Sequence, residues 1–372
     1  MIKLHVIQAE YGDCFVLESK LGKDSFNALI DGGPYQTFEK HIKPTLQKLP
    51  LNRKLDLIVL SHIDNDHIIG LLDLLEDIKT EREKGHKELI KIGKLWHNSF
   101  ADIFQSDVEL KTLFKHTFLS EILKPKEQAK EKKSIVASLI MKGFQQGTDL
   151  TQLAKSLKIK INPGFKKLIF INETAISIRP KNITFQILGP TKKNLDKLKE
   201  EWKDWLAKKR PIIESEIGIL QILDKSVPNL ASIVFLTEIG NRKILFTGDG
   251  IGEDILKVLS QNRMLDSNGK LHVDILKVPH HGSDRNVSIK FFDTVHASYY
   301  IISANGRDDN PSLNTLKWII QVGENNKKPR KIVFTNMTPN IKKILRKYDK
   351  KRYNYECVFL DKEDNYLTIN LR

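Results

Sequence analysis

Four side chains that can hold a metal ion fall within six positions of "LSHIDNDH": His62, Asp64, Asp66 and His67. They follow the apolar run Leu57–Leu60 and precede a second apolar stretch, "IIGLLDLL". Imidazole nitrogen and carboxylate oxygen are ligands for Zn²⁺, Mn²⁺ or iron. Neighbours in a strand point to opposite faces, so a regular strand cannot bring all four to one ion. A loop at a strand end can, and it can serve two adjacent ions. Without cations, these charges would be costly beside buried apolar segments. The plain alternative is a helix cap, with Asp66 as N-cap and the histidines on the surface. That alternative leaves two further constellations unexplained.

The first of these is "ILFTGDG", where Asp249 follows an apolar strand and sits between glycines. Alone it would be a turn residue. With the first motif it becomes a candidate bridge between two ions about 3.5–4 Å apart, as two-metal hydrolases use. The second is "DILKVPHHGS", where His280 and His281 again end an apolar strand. One of the pair would ligate metal, and the other would contact substrate or move a proton. Two such ions would lower the pKa of a water to about 7 and stabilise charge developing on a phosphoryl oxygen.

The surrounding pattern must deliver these residues to strand ends. "IKLHVIQ", "DCFVLES", "FNALIDGG" and "LDLIVLS" read as strands, and "TFEKHIKPTLQKL" and "DHIIGLLDLLEDI" as helices. Such alternation predicts a layered α/β architecture. Strand–helix alternation returns at "LASIVFLTEIGNRKILFTGDG", whose two apolar runs flank a turn and predict a hairpin. Between them, residues 76–228 read as a mostly helical insertion, with "DVELKTLFKHTFLSEIL", "SIVASLIMKGFQQ", "LTQLAKSL" and "NLDKLKEEWKDWLAKK" as amphipathic helices. "AISIRP" and "TFQILGP" are short strands within it. The stripe Leu195, Leu198, Trp202, Trp205 and Leu206 is a packing face. The catalytic core is then 1–75 together with 229–372.

The 372 residues carry 61 Lys and Arg against 46 Asp and Glu, a net charge of +15. That excess favours a polyanionic partner. No apolar stretch approaches the roughly 18 residues needed to cross a bilayer, and the first residues lack a signal-peptide layout. A cytoplasmic protein without a membrane role is expected. Cys14 and Cys357 are the only cysteines, too few for a disulfide framework, and read as buried thiols.

"LSHIDNDHIIG" resembles the metallo-β-lactamase superfamily motif His-x-His-x-Asp-His-x-x-Gly, with Asp64 at the second histidine. Together with "YGDCFVLE", "ALIDGG", "NLASIVFL", "LFTGDG" and "LKVPHHGS", it is similar to the nuclease-like domain of ComEC-type DNA-uptake proteins, in a stand-alone form. The likeness covers 1–75 and about 229–312. It implies an αββα sandwich with two divalent ions, Mn²⁺ or Zn²⁺, at one edge. The implied metal ligands are His62, Asp64, Asp66, His67, Asp249 and His281. Asp66, His280 and Lys277 would act at the reacting atoms, although Lys277 also reads as a surface strand residue. Asp31 would support the metal loop, and Asp13 and Ser283 match positions near the site. Asn229 stands where superfamily hydrolases usually carry a histidine, which favours the harder Mn²⁺. Asn310 stands where ComEC-like proteins often have the histidine of Gly-His-Pro, with Asp308 and Asp309 as alternatives.

These features lead to the expectation of a metal-dependent phosphodiesterase, acting on DNA rather than RNA. Without a membrane channel, it would be an effector controlled by a protein partner at the insertion, with antiphage defence a setting. The alternatives are a hydrolase of a small phosphodiester, cyclic nucleotide or lactone, and a silent nucleic-acid-binding module.

Overall fold

The computed structural model describes residues 1–99, 102–103, 146–172, 174–179, 182–208, 228–322 and 329–371. The helices expected in "DVELKTLFKHTFLSEIL" and across most of "SIVASLIMKGFQQ" lie outside these residues.

Seventeen strands form the described framework. They are β1 Ile2–Ile7, β2 Phe15–Leu21, β3 Asp24–Ile30, β4 Lys54–Leu55, β5 Leu57–Val59, β6 Lys91–Ile92, β7 Lys94–Trp96 and β8 Lys160–Ile161, followed by β9 Ile176–Ile178, β10 Ile183–Gly189, β11 Val234–Ile239, β12 Arg242–Phe246, β13 Leu271–Lys277, β14 Val295–Ile302, β15 Arg330–Phe334, β16 Tyr355–Phe359 and β17 Tyr366–Leu371. The first sheet runs β17-β1-β2-β3-β5-β7-β8 and the second β16-β15-β14-β13-β12-β11-β10-β9. In each sheet an antiparallel meander gives way to parallel crossover strands. The switch is β3 to β5 in the first and β12 to β13 in the second. The expected hairpin is β11–β12, closed over Gly240 with Ile239 opposite Arg242.

Period-two alternation explains the layers. Phe15, Leu17, Ala28, Ile30, Leu57 and Val59 face inward and meet Phe185, Phe235 and Phe246 of the other sheet. Their neighbours Val16, Leu29, Ile58 and Leu60 face outward and meet Leu71, Leu74 and Leu75. Those leucines belong to the helix Asn65–Glu83, whose buried positions recur every three or four residues. Helices Gly252–Gln261, Ile289–Thr294, Leu313–Gln321 and Pro339–Lys347 pack with the second sheet. The result is the αββα sandwich.

The described residues of 76–228 carry strands as well as helices. They supply β7 and β8 to one sheet and β9 and β10 to the other. β10, read from the sequence as the strand "TFQILGP", is buried in the core that the two sheets share, Phe185 packing on Phe26 and Trp96. Helices do form at 146–156 and Lys192–Lys208, and Leu195 and Leu198 are buried as the stripe requires. Cys14 is buried, Cys357 is half-buried, and both are free thiols. Among the described residues, no helix is long and apolar enough to cross a membrane.

Candidate metal centre

The centre forms where the loops after β3, β5, β12 and β13 meet. Asp31 ends β3 in a left-handed conformation, φ 58°, and its carboxylate organises the loop after β5. It accepts hydrogen bonds from Ser61 N at 2.7 Å and Ser61 Oγ at 2.9 Å, and from His67 Nδ1 at 3.0 Å. With the Ser61 proton on Asp31, Ser61 Oγ is left to accept from His62 Nδ1 at 3.1 Å. His281 Nδ1 donates to the carbonyl of Ser303 at 2.9 Å. Three imidazoles therefore have their Nδ1 protons committed, and each turns Nε2 inward. His62 Nε2, His67 Nε2 and His281 Nε2 are all buried without a hydrogen-bond partner.

Those nitrogens surround Asp249. His67 Nε2 is 3.5 Å from Oδ1, while His62 Nε2 and His281 Nε2 are 3.7 and 3.6 Å from Oδ2. The two oxygens face different imidazoles, as a bridging carboxylate would. Asp64 lies 3.3 Å from His62 Nε2, and Asp66 lies 3.0 Å from His281 Nε2. Asp64, rather than Asp66, is the N-cap of the helix Asn65–Glu83, yet it makes no side-chain capping bond. Its carboxylate is turned to His62 instead. Asp66 sits in the first turn, where the helix dipole favours a negative charge.

His280 and His281 occupy consecutive left-handed conformations, φ 48° and 54°, and Gly282 follows at 86°. Strain of this kind costs of order 1 kcal/mol per residue and gathers at functional sites. It lets both rings point inward from one strand end. Asn286 Nδ2 donates to Asp249 O at 2.9 Å, so its Oδ1 accepts from His280 Nδ1 at 2.7 Å. His280 Nε2 is then 3.6 Å from Asp249 Oδ2, but 20% of its side chain stays exposed against 6% for His281. His281 is thus the better-enclosed ligand, and His280 the ring that faces the cleft.

Two residues stand elsewhere than the sequence suggested. Lys277 is neither a surface residue nor part of the cleft lining, because its strand is covered on both faces. It is 2% exposed, donates to Gly248 O at 2.7 Å and lies 3.4 Å from Asp249. It also forms an ion pair with Asp13. Asp13, expected near the site, is in its interior. Asp13, His67, Asp249 and His281 each offer a ligand atom, all within 4.8 Å of one another.

Charge explains the electrostatics. Burial alone would raise Asp249, but His281, His67, His280 and Lys277 hold it well below the usual carboxylate range. Burial likewise opposes, and Lys277 and His281 overcome, to depress Asp13. Burial would lower the imidazoles, yet Asp249, Asp66 and Asp31 raise His67 well above its ordinary value. Asp249 and Asp13 likewise push His281 up to about 10 against its burial. The pocket is short of positive charge, and protons are the cations it draws. Bare Nε2 lone pairs around a shared carboxylate suit a divalent ion, which binds by displacing those protons.

The centre opens into a cleft of about 470 Å³ lined by Asp66, His280, His281, Ser283 and Asn310. Tyr11, Arg285, Arg307 and Asp308 complete its mouth. Sequence reasoning missed Arg285 and Arg307, which carry no motif of their own, and passed over Tyr11, the first residue of "YGDCFVLE". Asn310 and Asp308 reach the cleft, whereas Asp309 is not part of its lining. Asn229 lines a different cavity of about 300 Å³, with Asn194, Ser232 and Ile251.

Residues 8–154 match the family described as Metallo-beta-lactamase superfamily. No curated protein matches the chain. Among solved structures, a diphosphatase from the PhnP family is similar at 12% identity and TM-score 0.39, over 100% of this chain and 98% of its own. Zinc-bound PqqB from Methylobacterium extorquens is similar at 11% identity and TM-score 0.41, over 99% and 100%. The motifs, the sandwich and the match over residues 8–154 together liken this chain to the metallo-β-lactamase superfamily, and the centre is that of a metal-dependent hydrolase.

Proposed function

We propose that the chain is a metal-dependent phosphodiesterase acting on DNA. The observation that carries this reading is the character of the cleft onto which the centre opens: two arginines, Arg285 and Arg307, line it. Guanidinium groups match phosphate oxygens in a way that a lactam or thioester does not need. The net charge of +15 supports a polyanionic substrate held by salt-sensitive contacts. The sequence likeness to ComEC-type nuclease domains points the same way.

Two divalent ions fit the charge balance. Five carboxylates, Asp13, Asp31, Asp64, Asp66 and Asp249, surround one lysine, a deficit of four charges with the imidazoles neutral. Asp13, His67, Asp249 and His281, with His62, Asp64 and Asp66 beside them, would hold the ions. Bound there, the ions supply Lewis acidity and an activated water. Asp31 and Ser303 keep the imidazole Nε2 atoms aimed at the centre. Lys277 compensates Asp13 and Asp249. His280, oriented by Asn286 and exposed to the cleft, stands where a proton can pass to the leaving oxygen. Control by a protein partner, in antiphage defence, remains part of this proposal through residues 76–228.

The test is incubation of the purified protein with linear, circular and single-stranded DNA and with RNA, in Mn²⁺, Mg²⁺ or Zn²⁺. An Asp64→Ala/His67→Ala variant runs beside it. Metal-dependent DNA cleavage absent from the variant is the expected result. Turnover of a small phosphodiester with every polymer left intact would replace the proposal with a small-molecule hydrolase.

A further inference from the structure

We infer that Arg307, Tyr11 and Arg285 form a separate subsite for a second phosphate, next to the one being cleaved, so that the cleft selects a nucleic-acid strand over an isolated diester. This rests on the phosphodiesterase reading and specifies its substrate.

Arg307 is not a loose surface cation. Its guanidinium lies 4.3 Å from the centroid of the Tyr11 ring, within the range of a stacked cation–π contact. Stacking fixes the plane of the guanidinium and leaves its edge for oxygen acceptors. Its ion pair with Asp308, 3.5 Å from Nε, is long and exposed and has little hold.

The loop that carries Arg307 is over-determined. Gly306, Asp308 and Asp309 have φ of 98°, 53° and 62°. Left-handed aspartates persist only where neighbours enforce them. Here Asn340 Nδ2 donates to Asp309 O at 3.0 Å and Pro311 O at 3.1 Å, and Ser312 N donates to Gly282 O at 3.0 Å. Arg307 N donates to Asn305 Oδ1 at 3.1 Å, and Asn305 reaches Glu10 at 3.3 Å. The same bonds tie this loop to Glu10 and Gly282, the neighbours of Tyr11 and His281. The position of Arg307 is therefore set relative to the metal centre.

The ions would already neutralise the phosphate under attack. Two arginines on the same cleft then exceed what one phosphodiester requires. A strand supplies the second anion, because its phosphates follow one another at fixed spacing. Tyr11, half-buried under Arg307, adds a ring against which a sugar or base can lie.

The direct test is binding without metal. A fluorescent ten-nucleotide single-stranded DNA is titrated in EDTA and followed by anisotropy, for the wild type, Arg307→Ala, Arg307→Lys and Arg285→Ala. The expected result is at least fivefold weaker binding for each alanine variant. The slope of log Kd against log salt should also fall by roughly 0.7 per arginine lost. Arg307→Lys should recover the slope but not the full affinity, since a lysine lacks the stacked planar fork. With Mn²⁺, kcat/KM of Arg307→Ala should drop at least tenfold more on the oligonucleotide than on bis(p-nitrophenyl) phosphate. Equal affinity of wild type and variants overturns the subsite even when cleavage stands. Equal losses on both substrates overturn it too. Arginine-dependent binding without cleavage would keep the subsite and remove the nuclease reading.

Discussion

The carboxylate of Asp249 is the residue on which the chemistry depends, because imidazoles on both sides of it end on its two oxygens. Asp249→Asn should lower bound metal measured by elemental analysis and reduce turnover by at least 10³-fold, leaving the fold intact by circular dichroism. The two adjacent histidines should separate. His281→Ala should lose metal, whereas His280→Ala should keep it and lose about 10²–10⁴-fold in kcat. Lys277 is a stability residue by the same geometry. Lys277→Met would leave Asp13 and Asp249 buried without their cation, at a cost of about 3–5 kcal/mol in urea unfolding. At this scale the residues gathered round Asp249 were legible as candidate ligands, because each follows an apolar run and the first four fall in one dense motif. Asp13 was undervalued because one aspartate after a strand has no spacing to mark it. Lys277 was ambiguous because a lysine in an alternating strand reads as outward-facing, and nothing local reveals the carboxylates that bury it. Arg307 and Tyr11 lie almost 300 residues apart in the sequence and meet only through the loops Glu10–Gly12 and Asn305–Asn310.

Among the elements, the helix Asn65–Glu83 must seat closely for Asp66 and His67 to reach the centre. A Cβ on Gly70 would stand 2.0 Å from Gly32 O, and one on Gly12 would stand 2.0 Å from Asp66 O. Neither neighbour is a flexible side chain. Gly70→Ala should therefore cost about 2–4 kcal/mol and weaken metal binding, both measurable on one preparation. His97, after β7, gives a pH-dependent counterpart far from the ligands. Burial holds it neutral and lowers it to about 4, with Asp102 opposing only in part. The folded value lies below the unfolded one, so the unfolded chain takes up the proton first as pH falls. The contribution is complete above about pH 6.5 and is lost toward pH 4. Urea unfolding at pH 7.5 and 5.0 should show about 2 kcal/mol more acid loss in the wild type than in His97→Gln. The strands β9 and β10 were legible as "AISIRP" and "TFQILGP", whereas β7 and β8 are only two or three residues long and were harder to foresee than this helix. Which sheet each pair joins depends on partners elsewhere in the chain rather than on local periodicity.

Across the whole molecule, the two sheets repeat one plan. The last meander strand ends in an aspartate, Asp31 or Asp249, and the first parallel strand ends in histidine, His62 or His280. Each half supplies part of the centre, so a bound ion would join the two sheets. Divalent ion at a hundredfold its Kd should add about 2.7 kcal/mol of stability, absent in Asp249→Asn and reversed by EDTA in a thermal scan. This doubling was visible only as two strand-rich blocks, since neither block's sequence says which sheet the other will face.

The first sheet is finished by β17, where Leu371 lies opposite Ile2 and Tyr366 opposite Ile7. During synthesis β1 emerges long before β17, and its outer edge must wait for all the strands between them before it is covered. Pairing across such a span is slow, and an open apolar edge invites intermolecular association in the interval. Nascent chains stalled before Tyr366 should therefore depend on chaperones, however complete their catalytic loops already are.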